Sequence, residues 1–254
     1  MAETPCVHLQ KIPLRADQLV AIARKRGIVA ASLDDGYLAH CVLREIWADV
    51  APAPFVLRRH GRVVDVWGYS RVAADTLKDR ARSFADPALV QVIDRIDDIA
   101  SREMPVLPPG RLVGFNLRAC PVVRLASERR GHRKGAEVDA FLATCFGKDP
   151  AAQVSRQDVY RDWLAARLGD PDRSGATVER IRLAAFGRER LVRRTQSAER
   201  KAHRIERPDV RFDGELKICD GRRFLEFLSS GVGRHKAFGF GALLVVPPGT
   251  QYPQ

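Results

Sequence analysis

Apolar and polar positions alternate over residues 6–13, where Val7, Leu9 and Ile12 are apolar and His8, Gln10 and Lys11 lie beside them. A period of two predicts a first strand. The period then lengthens: Leu19, Val20, Ile22 and Ala23 fall on one side of a helix over residues 16–25, which Gly27 can end. Asp34 or Asp35 is a suitable N-cap for a second helix running to Trp47, with Leu38, Cys41, Val42 and Ile46 on its apolar face. Residues 55–59 and 62–69 read as strands joined at His60-Gly61, residues 73–85 as a helix, and residues 111–125 as a strand broken near Pro121. With the additional first helix set aside, strand, helix, strand, strand, helix, strand is the order of a ferredoxin-like unit.

The pattern breaks between residues 126 and 136, where Ser127-Glu-Arg-Arg-Gly-His-Arg-Lys-Gly135 is polar and basic and reads as a linker or an exposed loop. Helices are expected over 138–146 and 155–168, and a hairpin of strands 177–186 and 189–195 around Gly187-Arg188. A strand over 210–219, a helix containing 224–228 and a last strand over 238–246 follow. This order is compatible with a second, degraded ferredoxin-like unit, a repeat of topology rather than of residues. The expectation is therefore an α+β protein with units at 1–125 and 126–254, which 254 residues comfortably accommodate.

Charge narrows the choice of partner. Lys and Arg number 43 against 31 Asp and Glu, a formal net charge of +12, and only eight of the 43 are lysine. Guanidinium forks pair bidentately with phosphate and stack on bases, so an arginine-weighted excess favours nucleic acid over a merely solvated basic surface. The five cysteines form no CxxC pair, which argues against a zinc site or a disulfide framework and for small buried residues in a reducing cytosol. No apolar run approaches ~18 residues, so no membrane span is expected, and no leader is visible at the N-terminus. The expected location is the cytoplasm.

One stretch stands out. Gly231-Val-Gly-Arg-His-Lys-Ala-Phe-Gly-Phe-Gly241 holds four glycines, three basic side chains and two phenylalanines between a helix-like and a strand-like segment. It lacks the Gly-Lys-Ser/Thr close of a P-loop, and it follows a helix where the dinucleotide fingerprint follows a strand. It is either another kind of anion-binding loop or a tight connection whose Phe238 and Phe240 fill the core. The contacts assigned to it are Gly231, Gly233, Arg234, His235, Gly239 and Gly241. A second basic feature is the expected hairpin, where Arg182, Arg188, Arg190, Arg193 and Arg194, with Arg180, present a ribbon that can grip RNA phosphates or, neutralised by Glu179 and Glu189, form a solvated face. The basic loop of Arg129, Arg130, Arg133 and Lys134 is ambiguous. His8, His60, His132 and His203 carry no partner signal.

Three of these segments, taken in order, resemble the CasE family of CRISPR repeat-processing endoribonucleases. They are Tyr37-Leu-Ala-His40 with Leu43 and Trp47, the strand Val113-Gly-Phe-Asn-Leu-Arg-Ala-Cys-Pro121, and Val210-Arg-Phe-Asp-Gly-Glu-Leu followed by the glycine-rich run. Residues 14–33 lengthen the approach to the Tyr-x-x-His helix, and Cys120 stands where the family's strand motif carries Asn. The resemblance implies two tandem ferredoxin-like (RRM-like) domains and metal-independent cleavage of precursor CRISPR RNA at the base of a repeat stem-loop. It also implies a retained product and membership of a multisubunit RNA-guided surveillance complex, with no cofactor.

The residues suit that chemistry. Metal-free cleavage requires removal of the 2′-OH proton, protonation of the 5′-oxygen and stabilisation of the phosphorane. Histidine titrates near neutrality, and Tyr37 and His40, three apart on a helix, share a face. His40 is the expected acid or base, Tyr37 holds the 2′-OH or orients His40, and Lys236 or Arg234 stabilises developing charge. Two other readings remain at this point: a non-catalytic RNA stem-loop-binding subunit, and a basic ribosome-associated protein that binds many RNAs alike.

Overall fold

The computed structural model describes residues 6–25, 34–146, 153–194 and 202–253. Its backbone is organised by two four-stranded antiparallel sheets. The first unit runs β1 (His8–Arg15), α1 (Ala16–Lys25), α2 (Asp35–Trp47), β2 (Phe55–His60), β3 (Val63–Ser70), α3 (Ala74–Phe84), α4 (Pro87–Val90) and β4 (Ala100–Glu103). Its strand order is β2-β3-β1-β4. The β2–β3 hairpin turns at Gly61, whose φ of 61° suits glycine. Ile12 and Leu14 of β1 pack under Leu38, Val42, Leu43, Ile46 and Trp47 of α2 and Leu77 of α3. The Trp47 indole N–H donates to the Leu77 carbonyl at 2.8 Å and ties α2 to α3.

The second unit runs β5 (Leu112–Ala119), β6 (Val122–Arg124), β7 (Glu137–Asp139), α5 (Ala140–Cys145), α6 (Arg156–Leu168), α7 (Pro171–Ser174), β8 (Ala176–Arg194), β9 (Ala202–Ile218), α8 (Gly221–Ser230) and β10 (Leu243–Val246). Its order is β10-β5-β9-β8, the same topology as the first with β5 in the place of β1. Phe115, Leu117, Tyr160, Leu164, Phe212, Phe224 and Leu228 form its core. Tyr69 of the first sheet joins that core, and its hydroxyl donates to the Leu243 carbonyl at 2.7 Å. Two ferredoxin-like units in tandem are what the pattern led one to expect.

Three elements differ from that expectation. The strand expected to close the first sheet opens the second: Leu112 to Ala119 pair with β9, and Gly114 to Leu117 with β10. The first sheet is closed instead by Ala100-Ser-Arg-Glu103, a segment too short and polar to announce itself by alternation. The basic stretch 126–136 joins β6 to β7 within the second unit, with Arg129 bridged to His132.

The hairpin also differs. No turn occurs at Gly187-Arg188; β8 runs straight through, with Gly187 opposite Asp209 and Arg188 opposite Pro208. An isolated glycine only weakens a strand locally, and the long partner β9 overrides it. A Cβ at Gly187 would meet open space, so no close approach requires glycine there. The residues between β8 and β9, which include the expected end at Thr195, lie outside the described residues. Beyond Ala119, the last β5 partner, β8 and β9 continue as a two-stranded arm. The arm is anchored by Leu191, buried against Cys120, Val122 and Phe240.

Among the five free cysteines, Cys120 is buried, Cys41 and Cys145 are half-buried, and Cys6 and Cys219 are exposed, so burial does not account for all of them. Burial pushes the Cys120 thiol up to about 12. Its place in the family motif is thus a packing position.

Candidate active site and nucleic-acid interface

α2 begins where Asp34 accepts hydrogen bonds from the amides of Gly36 (2.9 Å) and Tyr37 (3.2 Å). That cap delivers the first turn of the helix onto the glycine-rich loop. Gly36 lies so close to Phe238 that a Cβ on it would run into the Phe238 carbonyl. One residue on, the Tyr37 ring stacks on the Phe238 ring, with centroids 5.5 Å apart and planes 22° from parallel. His40 is one helical turn further along the same face and is half-buried. Burial, helped by the Arg44 charge, holds its imidazole below the usual histidine value.

The loop is held in a defined shape. Gly231, Gly233, His235, Gly239 and Gly241 all have positive φ. At Gly231 a side chain would meet the Pro54 ring at 2.6 Å, so glycine is required by packing as well as by backbone. The amides of Gly231, Val232, Phe238, Gly239 and Gly241 donate within the protein, to Phe227, Gly241, His235, Lys236 and Arg118 carbonyls respectively. Those five are spent on the loop's own conformation and on tying it to α8 and β5.

The basic side chains of the loop have internal partners too. Arg234 pairs with Glu137 at 2.5 Å, and Nε2 of His235 sits 3.1 Å from the other oxygen of the same carboxylate. Arg207 of β9 approaches it at 3.7 Å. Burial raises the Glu137 carboxyl, but His235, Arg234 and Arg207 outweigh it and leave it below the usual range. Burial also holds His235 below its usual value despite the carboxylate beside it. The Lys236 ammonium donates to the Ser230 carbonyl at the end of α8, and desolvation, with the Arg173 charge, lowers its pKa. A cavity of about 400 Å³ lies between loop and arm, walled by Arg124, Leu191, Ile205 and Phe238 together with Arg234 and Lys236.

The arginine ribbon divides. Arg182 is clamped bidentately on the buried Asp213, at 2.8 and 2.5 Å. Arg180 pairs with Glu215 at 3.0 Å, and Arg188 with Glu206 at 3.3 Å. The acids that face these arginines come from β9, across the ladder. Glu189 pairs instead with Arg118 at 3.3 Å. Arg190 is exposed on the arm. Arg193 and Arg194 belong to the outer end of β8, and their side chains lie outside the described ones.

Tyr37 and the loop are therefore brought into contact, and His40 follows on the same helix face, while the Lys236 ammonium points to the end of its own preceding helix. Two participants were missed by pattern reading. Gly36 carries a legible signal, since glycine in the first turn of a helix disfavours it and asks for a packing reason. Glu137 carries none, because its partners Arg207, Arg234 and His235 come from β9 and the loop, far away in sequence.

Two tandem ferredoxin-like units with a basic arm and a glycine loop on a Tyr-x-x-His helix define an RRM-like protein. A family model described as CRISPR associated protein matches residues 7–247, and the chain belongs to that family. The CRISPR-associated endoribonuclease Cse3 of Thermus thermophilus is 32% identical over 145 residues, spanning 56% of this chain and 59% of that relative. The fold is similar to CRISPR endoribonuclease Cse3 bound to a 19-nucleotide RNA, with a TM-score of 0.61 and 23% identity over 95% of this chain and 100% of that one. It is also similar to a chain of a CRISPR RNA-guided surveillance complex in a pre-nicking state, with a TM-score of 0.55 and 17% identity over 94% and 99% of the two chains. These matches agree with the CasE resemblance read from the residues. Among the described residues no helix is long and apolar enough to cross a membrane.

Proposed function

We propose that this protein is an endoribonuclease that cuts precursor CRISPR RNA at the base of the repeat stem-loop, keeps the guide RNA bound and joins an RNA-guided surveillance complex in the cytoplasm. The observation that carries this reading is the seating of the Tyr37–His40 helix on the glycine-rich loop through Gly36, Tyr37 and Phe238. A neutral His40 takes the 2′-OH proton as the oxygen attacks the adjacent phosphorus, and the resulting imidazolium protonates the departing 5′-oxygen. Tyr37 orients the 2′-OH or His40. Lys236 leaves the Ser230 carbonyl to meet the phosphorane charge when RNA docks. The products are a 2′,3′-cyclic phosphate and a 5′-OH, and no metal takes part. Arg190, Arg193, Arg194 and the loop grip phosphates, while Arg182 and Arg188 act from within their ion pairs. The strand orders support a division between units at residues 104–111, ahead of β5.

The test is a labelled repeat hairpin incubated with the protein in EDTA. Cleavage that persists in EDTA and stops when the 2′-OH at the cut site is replaced by hydrogen supports the reading; cutting of that deoxy substrate overturns it. Gly36→Ala wedges the helix off the Phe238 carbonyl, and a misplacement of about 1 Å costs roughly 10²-fold in rate. A protein that binds the hairpin and never cuts it is the stem-loop-binding subunit instead.

A further inference from the structure

Asp34 stands one residue ahead of α2 and is 6% exposed. Its Oδ1 accepts both the Gly36 and the Tyr37 amides. Both residues meet Phe238, one through backbone contact and the other through ring stacking. The carboxylate thus fixes the turn of helix that touches the glycine loop, and His40 follows one turn later. Its Oδ2 is buried and has no hydrogen-bond partner among the described residues. A second oxygen held without a partner is not what a cap needs; the cap uses one oxygen only.

We propose that Asp34 is a positioning residue for RNA cleavage: through its one capping oxygen it sets the angle and depth at which Tyr37 and His40 face the loop. The inference rests on the endoribonuclease reading. Asn offers the same acceptor and caps helices as well as Asp does, whereas Ala offers none. The role therefore belongs to the acceptor, and the two substitutions separate it from the charge.

The experiment measures single-turnover cleavage and equilibrium binding of a repeat hairpin that the wild-type protein cuts, for Asp34→Ala and Asp34→Asn. Asp34→Ala is expected to cleave about tenfold or more slowly, with the dissociation constant changed less than about twofold, because the reacting groups are displaced while the phosphate-gripping surfaces are not. Asp34→Asn restores the rate. Amide exchange at Gly36 and Tyr37 quickens in the Ala variant alone, which reports the loosened turn without reference to activity. A wild-type rate in Asp34→Ala overturns the inference. So does an Asn variant as slow as the Ala variant, or a loss of rate and binding together. A wild-type protein that cuts no hairpin overturns the functional reading itself, a different result read before either variant is made.

Discussion

The same carboxyl group makes a prediction about stability that is independent of RNA. Burial raises the Asp34 carboxyl from 3.8 to about 6, with the Glu189 charge adding to it and the Tyr37 and Gly36 amides and Arg118 opposing it. The folded protein thus binds this proton more tightly than the unfolded chain does. Stability from this group is fully present below pH 3.8 and is lost as pH rises through about 6. The shift is about 2 pH units, and at 1.36 kcal/mol per unit the ionised form costs up to ~3 kcal/mol at pH 7.5. Asp34→Asn keeps the cap and removes the ionisation. It should therefore be more stable than wild type at pH 7.5, by up to ~3 kcal/mol, and the advantage should shrink towards pH 4.5. Urea melts of both proteins at the two pH values measure it, and the difference between them cancels the other carboxylates. A variant that gains nothing at pH 7.5, or gains more at pH 4.5, refutes the argument that a buried carboxylate with one unpartnered oxygen sits at the head of α2.

Other outcomes follow from the site. His40→Ala should slow cleavage by ~10²–10⁴ and leave hairpin binding near wild type, as single-turnover kinetics and titrations will read. Because the Arg44 charge helps to hold His40 below its usual pKa, Arg44→Ala should move the acid limb of the rate–pH profile upward; an unmoved limb removes His40 as the titrating group. Glu137→Gln releases Arg234 and Arg207 for phosphate, so hairpin binding should tighten and the slope of log K against log salt steepen by ~0.7–0.9 for each phosphate newly engaged. Arg190→Ala with Arg193→Ala should weaken binding and flatten that slope, whereas Arg182→Ala should lower the melting temperature and flatten the slope less, because Arg182 is clamped on Asp213.

Much of this protein is written in local pattern. The two-residue period of β1, the cap and apolar face of α2, the turn at Gly61 and the Ser155-capped α6 each arise from side chains within a few positions of one another, and these are the elements that periodicity and capping chemistry report. The Tyr37-x-x-His40 spacing and the glycine-rich loop were legible for the same reason. Sheet membership was not. Nothing within Leu112–Ala119 says that it pairs with β9 and β10 rather than with β1, because that choice is made by partners some hundred residues downstream. The hairpin turn was misplaced because a local glycine signal competes with a ladder whose other strand is remote. Ion pairing was likewise invisible: the sequence shows an excess of arginine, and only the fold decides that Arg182, Arg188 and Arg234 meet acids while Arg190 faces solvent. Composition determines that the chain is basic. Tertiary structure determines which positive charges are free, because an ion pair depends on distance in space and not on distance along the chain.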